Sequence, residues 1–183
     1  MIYVVLAAGA SRRMGFPKVF TPLPRKEGTP LERIAALLEG RDGIAVVPPA
    51  HRDDAARMAP RLRLVVNGEA ERGMAHSLRC ALVEVDEEAA FGVLLGDKPF
   101  LTRSSLDALE AAFAGYDVAY PLSPARIPGH PVLFSPRARP FASRLSDGDT
   151  LSQLRDEPQL RRTVVRLDDP GAFRDLDEPA QWT

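Results

Sequence analysis

The sequence predicts an α/β protein: a mainly parallel sheet with helices on both faces. Three observations carry this. Short β-rich apolar runs such as Ile2 to Leu6 and Phe91 to Leu95 read as buried strands. Such runs alternate along the chain with segments of helical composition or periodicity, the pattern of a parallel sheet with crossover helices. Several strands end in small or polar turns, and in open α/β sheets ligands bind outside the carboxyl ends of the strands.

Each element has a local cause. The first strand, Ile2 to Leu6, breaks into the small residues Ala7, Ala8, Gly9, Ala10 and Ser11. Thr21 to Gly28 is a proline-rich, charged connection. Thr29-Pro30-Leu31-Glu32 then starts a helix, with a Thr N-cap, Pro at the first position and Glu in the first turn; Gly40 stops it. Gly43 to Val47 is a second strand, ended by Pro48-Pro49, and His51 to Ala59 is a helix closed by Pro60. Leu62 to Val66 forms a third strand, ending at Asn67-Gly68, and Leu78, Ala81, Leu82 and Val85 mark one face of the next helix. The fourth strand, Phe91 to Leu95, ends at Gly96-Asp97-Lys98-Pro99 and is followed by a helix over Ser104 to Phe113. Tyr116 to Tyr120 is a fifth strand, Pro121 to Pro128 a loop, and Val132 to Phe134 a sixth strand. A short helix from Pro136 toward Leu145 and a capped helix through Leu154 precede a last strand, Thr163 to Leu167. Asp175 to Pro179 is an acidic turn before a terminal helix.

Composition narrows the function classes. The chain has 183 residues, 45% apolar and 27% charged, as expected of one soluble domain spanning 1–183. Its formal net charge of −1 gives no support to a nucleic-acid partner. One cysteine, Cys80, excludes an internal disulfide and a cysteine-rich metal site, and packing on a helix face is its expected role. No run approaches a membrane span, and the start MIYVVL has no basic region or cleavage site, so the cytoplasm is the expected location. Monomer or weak homo-oligomer is the expected state.

The first turn reads as a phosphate-binding loop. Small residues let the backbone approach a ligand, whose phosphate oxygens its N–H groups can hold. Arg12, Arg13 and Lys18 add positive charge. Only Lys18, Lys26 and Lys98 are lysines among 24 basic residues, so a lysine in the loop points to a need for a compact charge. Counting excludes two common loops. Five residues separate Gly9 from Gly15 and Phe16 follows, so it is not a P-loop. Ser11 stands where the dinucleotide fingerprint needs its second glycine.

Asp97, held rigidly at a strand tip beside Gly96, is suited to Mg²⁺, which takes one or two protein carboxylates and completes its shell with phosphate and water. Asp177, with Asp175 as second choice, is the candidate for another ligand; the competing reading is an acidic surface turn. Asp168-Asp169, before Pro170-Gly171, reads more simply as a solvated turn. Asn67 and Ser77 are candidates for contacting a base or ribose, although Asn67 suits a left-handed turn and Ser77 a helix cap equally well. Gly129 and His130 belong on the acceptor side of the cleft, with His130 shaping it through a hydrogen bond; His51 and His76 read as structural or solvated.

The stretch LAAGASRRMGFPK resembles the opening loop of the MobA-like and MocA-like nucleotidyltransferases of molybdenum-cofactor biosynthesis. Thr29 to Arg33, Asn67 to Leu82, Gly96 to Pro99 and Asp175 to Pro179 resemble further segments of that family. Gly129-His130-Pro131-Val132-Leu133-Phe134 resembles the G-H-P-V-L-F of the MocA branch. The resemblance implies a three-layer α/β/α Rossmann-like fold of the nucleotide-diphospho-sugar transferase type, Mg²⁺ dependence and a nucleoside triphosphate donor. Leu6 to Arg13, Lys18, Asn67, Ser77 and Gly96 would hold the nucleotide, and Lys18, Arg13 and Asp97 would serve the chemistry. The acceptor is then a phosphorylated small molecule, molybdopterin first among them, and CTP the donor. Two departures fall on the acceptor side: Lys98 stands where many relatives carry Met or Gln, and Asp147 to Leu151 where they often carry G-D-x-G-A-R. A guanylyltransferase, a sugar-phosphate nucleotidyltransferase and a non-catalytic nucleotide-binding protein are the alternatives.

Overall fold

The computed structural model describes residues 1–9, 15–24 and 28–176. Seven strands form one sheet: β1 (Ile2–Leu6), β2 (Asp42–Val47), β3 (Arg63–Val66), β4 (Phe91–Leu95), β5 (Val118–Leu122), β6 (Val132–Phe134) and β7 (Arg162–Arg166), in the order β3-β2-β1-β4-β6-β5-β7. The pairs β1–β2, β1–β4, β2–β3 and β5–β7 are parallel; β6 runs antiparallel to β4 and β5. The helices are α1 (Pro30–Leu37), α2 (Arg52–Met58), α3 (Met74–Leu82), α4 (Arg103–Phe113), α5 (Arg139–Arg144) and α6 (Leu151–Arg155).

The period of two along β1 divides the core. Tyr3 and Val5 join Leu31 and Ile34 of α1 and Leu106 and Leu109 of α4 on one face. Val4 and Leu6 join Leu78 and Leu82 of α3 and Leu151 and Leu154 of α6 on the other. Both faces are covered, which is why β1 and β4 are apolar at every position. The N-terminus of α1 forms as its sequence predicts: Thr29 Oγ1 accepts from the Glu32 N–H at 3.2 Å, and Glu32 Oε2 accepts from the Thr29 N–H at 2.6 Å.

Two expectations shift. The fifth strand begins at Val118, not Tyr116, and continues through Pro121 to Leu122, where a loop was expected. The ladder to β6 covers only Val118 and Ala119, so Pro121 lies where β7 is the remaining ladder neighbour and its missing N–H is tolerated. Asp169 is not a solvated turn residue. It is buried, accepts from Thr102 N–H at 2.9 Å and Oγ1 at 2.8 Å and from Gly171 N–H at 2.9 Å, and so ties the 170–172 turn to the start of α4. Burial alone would raise its pKa, but the hydrogen bonds from Ser105, Thr102 and Gly171 carry it below the usual carboxylate range. No helix among the described residues is long and apolar enough to cross a membrane.

Candidate active site

The chain leaves β1 toward β2 and β3 on one side and later returns to place β4 on the other, which opens a crevice at the carboxyl ends of β1 and β4. The Gly96 N–H donates to the Leu6 carbonyl at 2.9 Å and the Ala7 N–H to the Val46 carbonyl at 2.9 Å, so the exit of β1 is held from both sides. A Cβ on Gly96 would stand 3.0 Å from the Leu6 carbonyl oxygen and 3.1 Å from Val19, closer than most real contacts. Of the expected phosphate loop, Leu6, Ala7, Ala8 and Gly9 line this exit. Ala10, Ser11, Arg12 and Arg13 lie outside the described residues, as does Asp177.

The loop returns as a single 3-10 turn, Lys18–Phe20, which carries Lys18 to Asp97 across 79 positions of sequence. Lys18 Nζ donates to Asp97 Oδ2 at 2.8 Å, with the two side chains 11% and 23% exposed. The other oxygen, Asp97 Oδ1, is buried without a hydrogen-bond partner among the described residues. An orphaned anionic oxygen is costly unless something binds it. A divalent cation bound by one carboxylate, phosphate and water fits that donor set, so Asp97 suits the metal role expected of it.

The neighbouring Lys98 is buried too, and its Nζ donates to the Phe173 carbonyl at 3.0 Å and pairs with Asp175. The Leu176 N–H donates to the Asp97 carbonyl at 3.1 Å. The acidic turn is therefore docked beside Asp97, but Asp175 serves as the counter-ion of Lys98, because a buried ammonium demands one. Under it, Leu23, Leu176, Phe16 and Phe100 form a small apolar cluster.

On the acceptor side, Gly129 is fixed by packing: a Cβ there would meet the Ala172 carbonyl oxygen at 2.5 Å and the Phe173 ring at 2.6 Å. His130 Nδ1 lies 3.3 Å from the Val93 carbonyl, the hydrogen bond that a shaping role requires. Desolvation pushes the His130 pKa down to about 4, against the Val93 hydrogen bond and with the help of the nearby Lys98 charge.

Asn67 and Ser77 meet, both buried, and bond each other and the backbone. Asn67 Nδ2 donates to Ser77 Oγ at 2.9 Å, Asn67 Oδ1 accepts from the Glu69 N–H at 2.9 Å, and Ser77 Oγ donates to the Gly73 carbonyl at 3.3 Å. Asn67 is a turn residue of the kind whose side chain bonds the backbone two residues on, not a left-handed one. Cys80 is on α3, with Sγ 3.7 Å from His76 Nδ1.

A cleft of about 490 Å³ opens beside the β1 exit, walled by Ala8 and Gly9, by Phe16 and Phe20, and by His51 and Glu71. Its volume falls within the range of small-molecule sites. Sequence reasoning passed over His51, which stacks on Phe20 with ring centroids 4.5 Å apart at 19°. It read Asp147 only as part of a turn on the acceptor side; Asp147 joins Arg72 at 2.7 Å and Arg79 at 2.5 Å and pins the 146–150 turn to α3. The signal for His51 was its position one turn past β2; for Asp147 there was none beyond charge.

A small-residue strand exit, a lysine and a strand-tip aspartate, set at the switch point of a mostly parallel sheet, are the arrangement expected of a nucleotidyltransferase. The chain belongs to the MobA-like NTP transferase domain family, whose profile matches residues 3–168. It is 30% identical over 198 residues to the purine catabolism protein PucB of Bacillus subtilis, covering 100% of this chain and 94% of that protein. Rv0371c of Mycobacterium tuberculosis H37Rv superposes with a TM-score of 0.79 at 28% identity, over 99% of this chain and 94% of that one; the same protein has been solved in complex with manganese. The molybdopterin-guanine dinucleotide biosynthesis protein A of Archaeoglobus fulgidus shares the fold, with a TM-score of 0.71 at 18% identity over 100% and 95% of the two chains.

Proposed function

We propose that this enzyme is Mg²⁺-dependent and transfers a nucleoside monophosphate, CMP from CTP, to the phosphate of a small acceptor, molybdopterin first among them. The observation that carries the reading is Asp97, with Lys18 on one carboxylate oxygen and the other buried with no hydrogen-bond partner among the described residues. An acceptor phosphate oxygen attacks the α-phosphorus; the bond from that phosphorus to the β-phosphate oxygen breaks, and pyrophosphate leaves. No protein base is required, because the nucleophile is already an anion. The chain's work is to bring two anions together and to hold the charge that develops on the leaving group.

The β1 exit presents backbone to the triphosphate, Lys18 supplies a point charge with three donors, and Arg12 and Arg13 are proposed to complete the grip. Asp97 holds the cation, with Asp177 proposed as a second ligand. When bound, Mg²⁺ neutralises phosphate charge and draws the reacting groups into line. His130 and Gly129 shape the acceptor side. The molybdopterin acceptor is supported by the name of the Archaeoglobus relative, and a divalent cation by the manganese complex of Rv0371c.

Pyrophosphate release tests this. CTP with Mg²⁺ and molybdopterin should give pyrophosphate, and Asp97→Ala should abolish it. Should no triphosphate give pyrophosphate with any phosphorylated acceptor while Asp97→Ala keeps its nucleotide affinity, the protein binds nucleotides without turning them over.

A further inference from the structure

We propose that His51 reads the nucleobase, and that it reads it as a hydrogen-bond acceptor. The inference rests on the nucleotide site proposed above and adds its base selectivity: bases with an exocyclic amino group (cytosine, adenine, guanine) over uracil.

With Asn67 and Ser77 occupied by each other, the polar side chains left on the described cleft wall are His51 and Glu71. His51 is held on three sides. Its N–H donates to the Pro48 carbonyl at 3.1 Å, its ring lies on Phe20, and its Nδ1 is 3.1 Å from Asp54 Oδ2. Asp54 is itself fixed by Arg57 on its other oxygen. A carboxylate only accepts, so Nδ1 carries the proton that Asp54 receives, and in that tautomer Nε2 is the acceptor. The Glu71 carboxylate is a second acceptor on the same wall. Two acceptors complement an amino group and leave a keto oxygen, such as O4 of uracil, facing lone pairs. A site built to receive a hydrogen bond at the amino position disfavours an analogue that presents a keto oxygen there. The Phe20–His51 stack sets the orientation of the acceptor before any ligand arrives.

Isothermal titration with CTP, ATP, GTP and UTP, each with Mg²⁺ and without acceptor, tests the inference independently of turnover. Wild type should bind at least one amino-bearing nucleotide about tenfold or more tighter than UTP. His51→Phe keeps a ring on Phe20 and removes Nε2; it should weaken the preferred nucleotide about tenfold and change UTP less than about twofold. His51→Gln, whose amide oxygen can still accept, should recover part of the preference. Equal loss of all four nucleotides in His51→Phe, or wild-type binding blind to the base, overturns the role of His51 and leaves the nucleotide site standing. Failure of wild type to bind any nucleotide overturns the site itself, and this inference with it.

Discussion

Replacing Lys18 by Met removes one charge from the centre of the site while keeping an unbranched side chain. Nζ and Asp97 Oδ2 are 2.8 Å apart and the two side chains are 11% and 23% exposed. At an effective dielectric constant near 20, the Coulomb attraction at that distance is ~6 kcal/mol. Desolvation of both groups offsets much of it. What Lys18→Met should cost is the penalty of leaving Asp97 without its counter-charge, about 3 kcal/mol of folding stability. Asp97→Asn lifts that charge, so the double variant should be about 2 kcal/mol more stable than the two single losses added together. Urea denaturation of the four proteins closes the cycle without any assay of turnover. If Lys18 grips the triphosphate as proposed, its loss should in addition lower kcat/KM by about 10- to 100-fold. A Lys18→Met protein within about 0.5 kcal/mol of wild type, with no coupling to Asp97→Asn, would refute the claim that this pair organises the site.

Three further outcomes follow from named contacts. His130 has its folded pKa below the ordinary value, at about 4, so its stabilising effect is complete above pH 6.5 and is lost as the pH falls toward 4. Between pH 7 and 5 the loss should reach about 2 kcal/mol; a His130→Gln protein whose urea midpoint falls as steeply as wild type over that range would show that other groups carry the acid sensitivity. Gly171→Ala places a Cβ 2.1 Å from the Phe100 carbonyl, a backbone clash that should cost about 3 kcal/mol or more, and an unchanged melting temperature would show that the 170–172 turn yields freely. Asn67→Ala strands the Glu69 N–H and should cost about 1–3 kcal/mol with nucleotide preference unchanged; altered preference at full stability would restore Asn67 to base recognition.

What the sequence determined by itself is the part written in short range. Strand runs such as Ile2 to Leu6, the capping box at Thr29 and the small-residue exit at Ala7 to Gly9 follow from periodicity, cap chemistry and side-chain size, which act within a few residues. The position of Asp97 at a strand tip was legible because it ends an apolar strand run, though a turn aspartate reads the same locally. Tertiary structure decided the rest, since partners distant in sequence leave no local trace. Nothing near Lys18 announces Asp97, 79 positions on, and nothing near Asp175 says that its partner is Lys98. Asn67 reads the same whether it faces a base or Ser77; only the packing of α3 beneath β3 chose the latter. His51 read as structural or solvated until Phe20 and Asp54 fixed its ring at the wall of the cleft. Local sequence sets which groups are offered; burial and the partners brought by the sheet decide which of them remain open to a ligand.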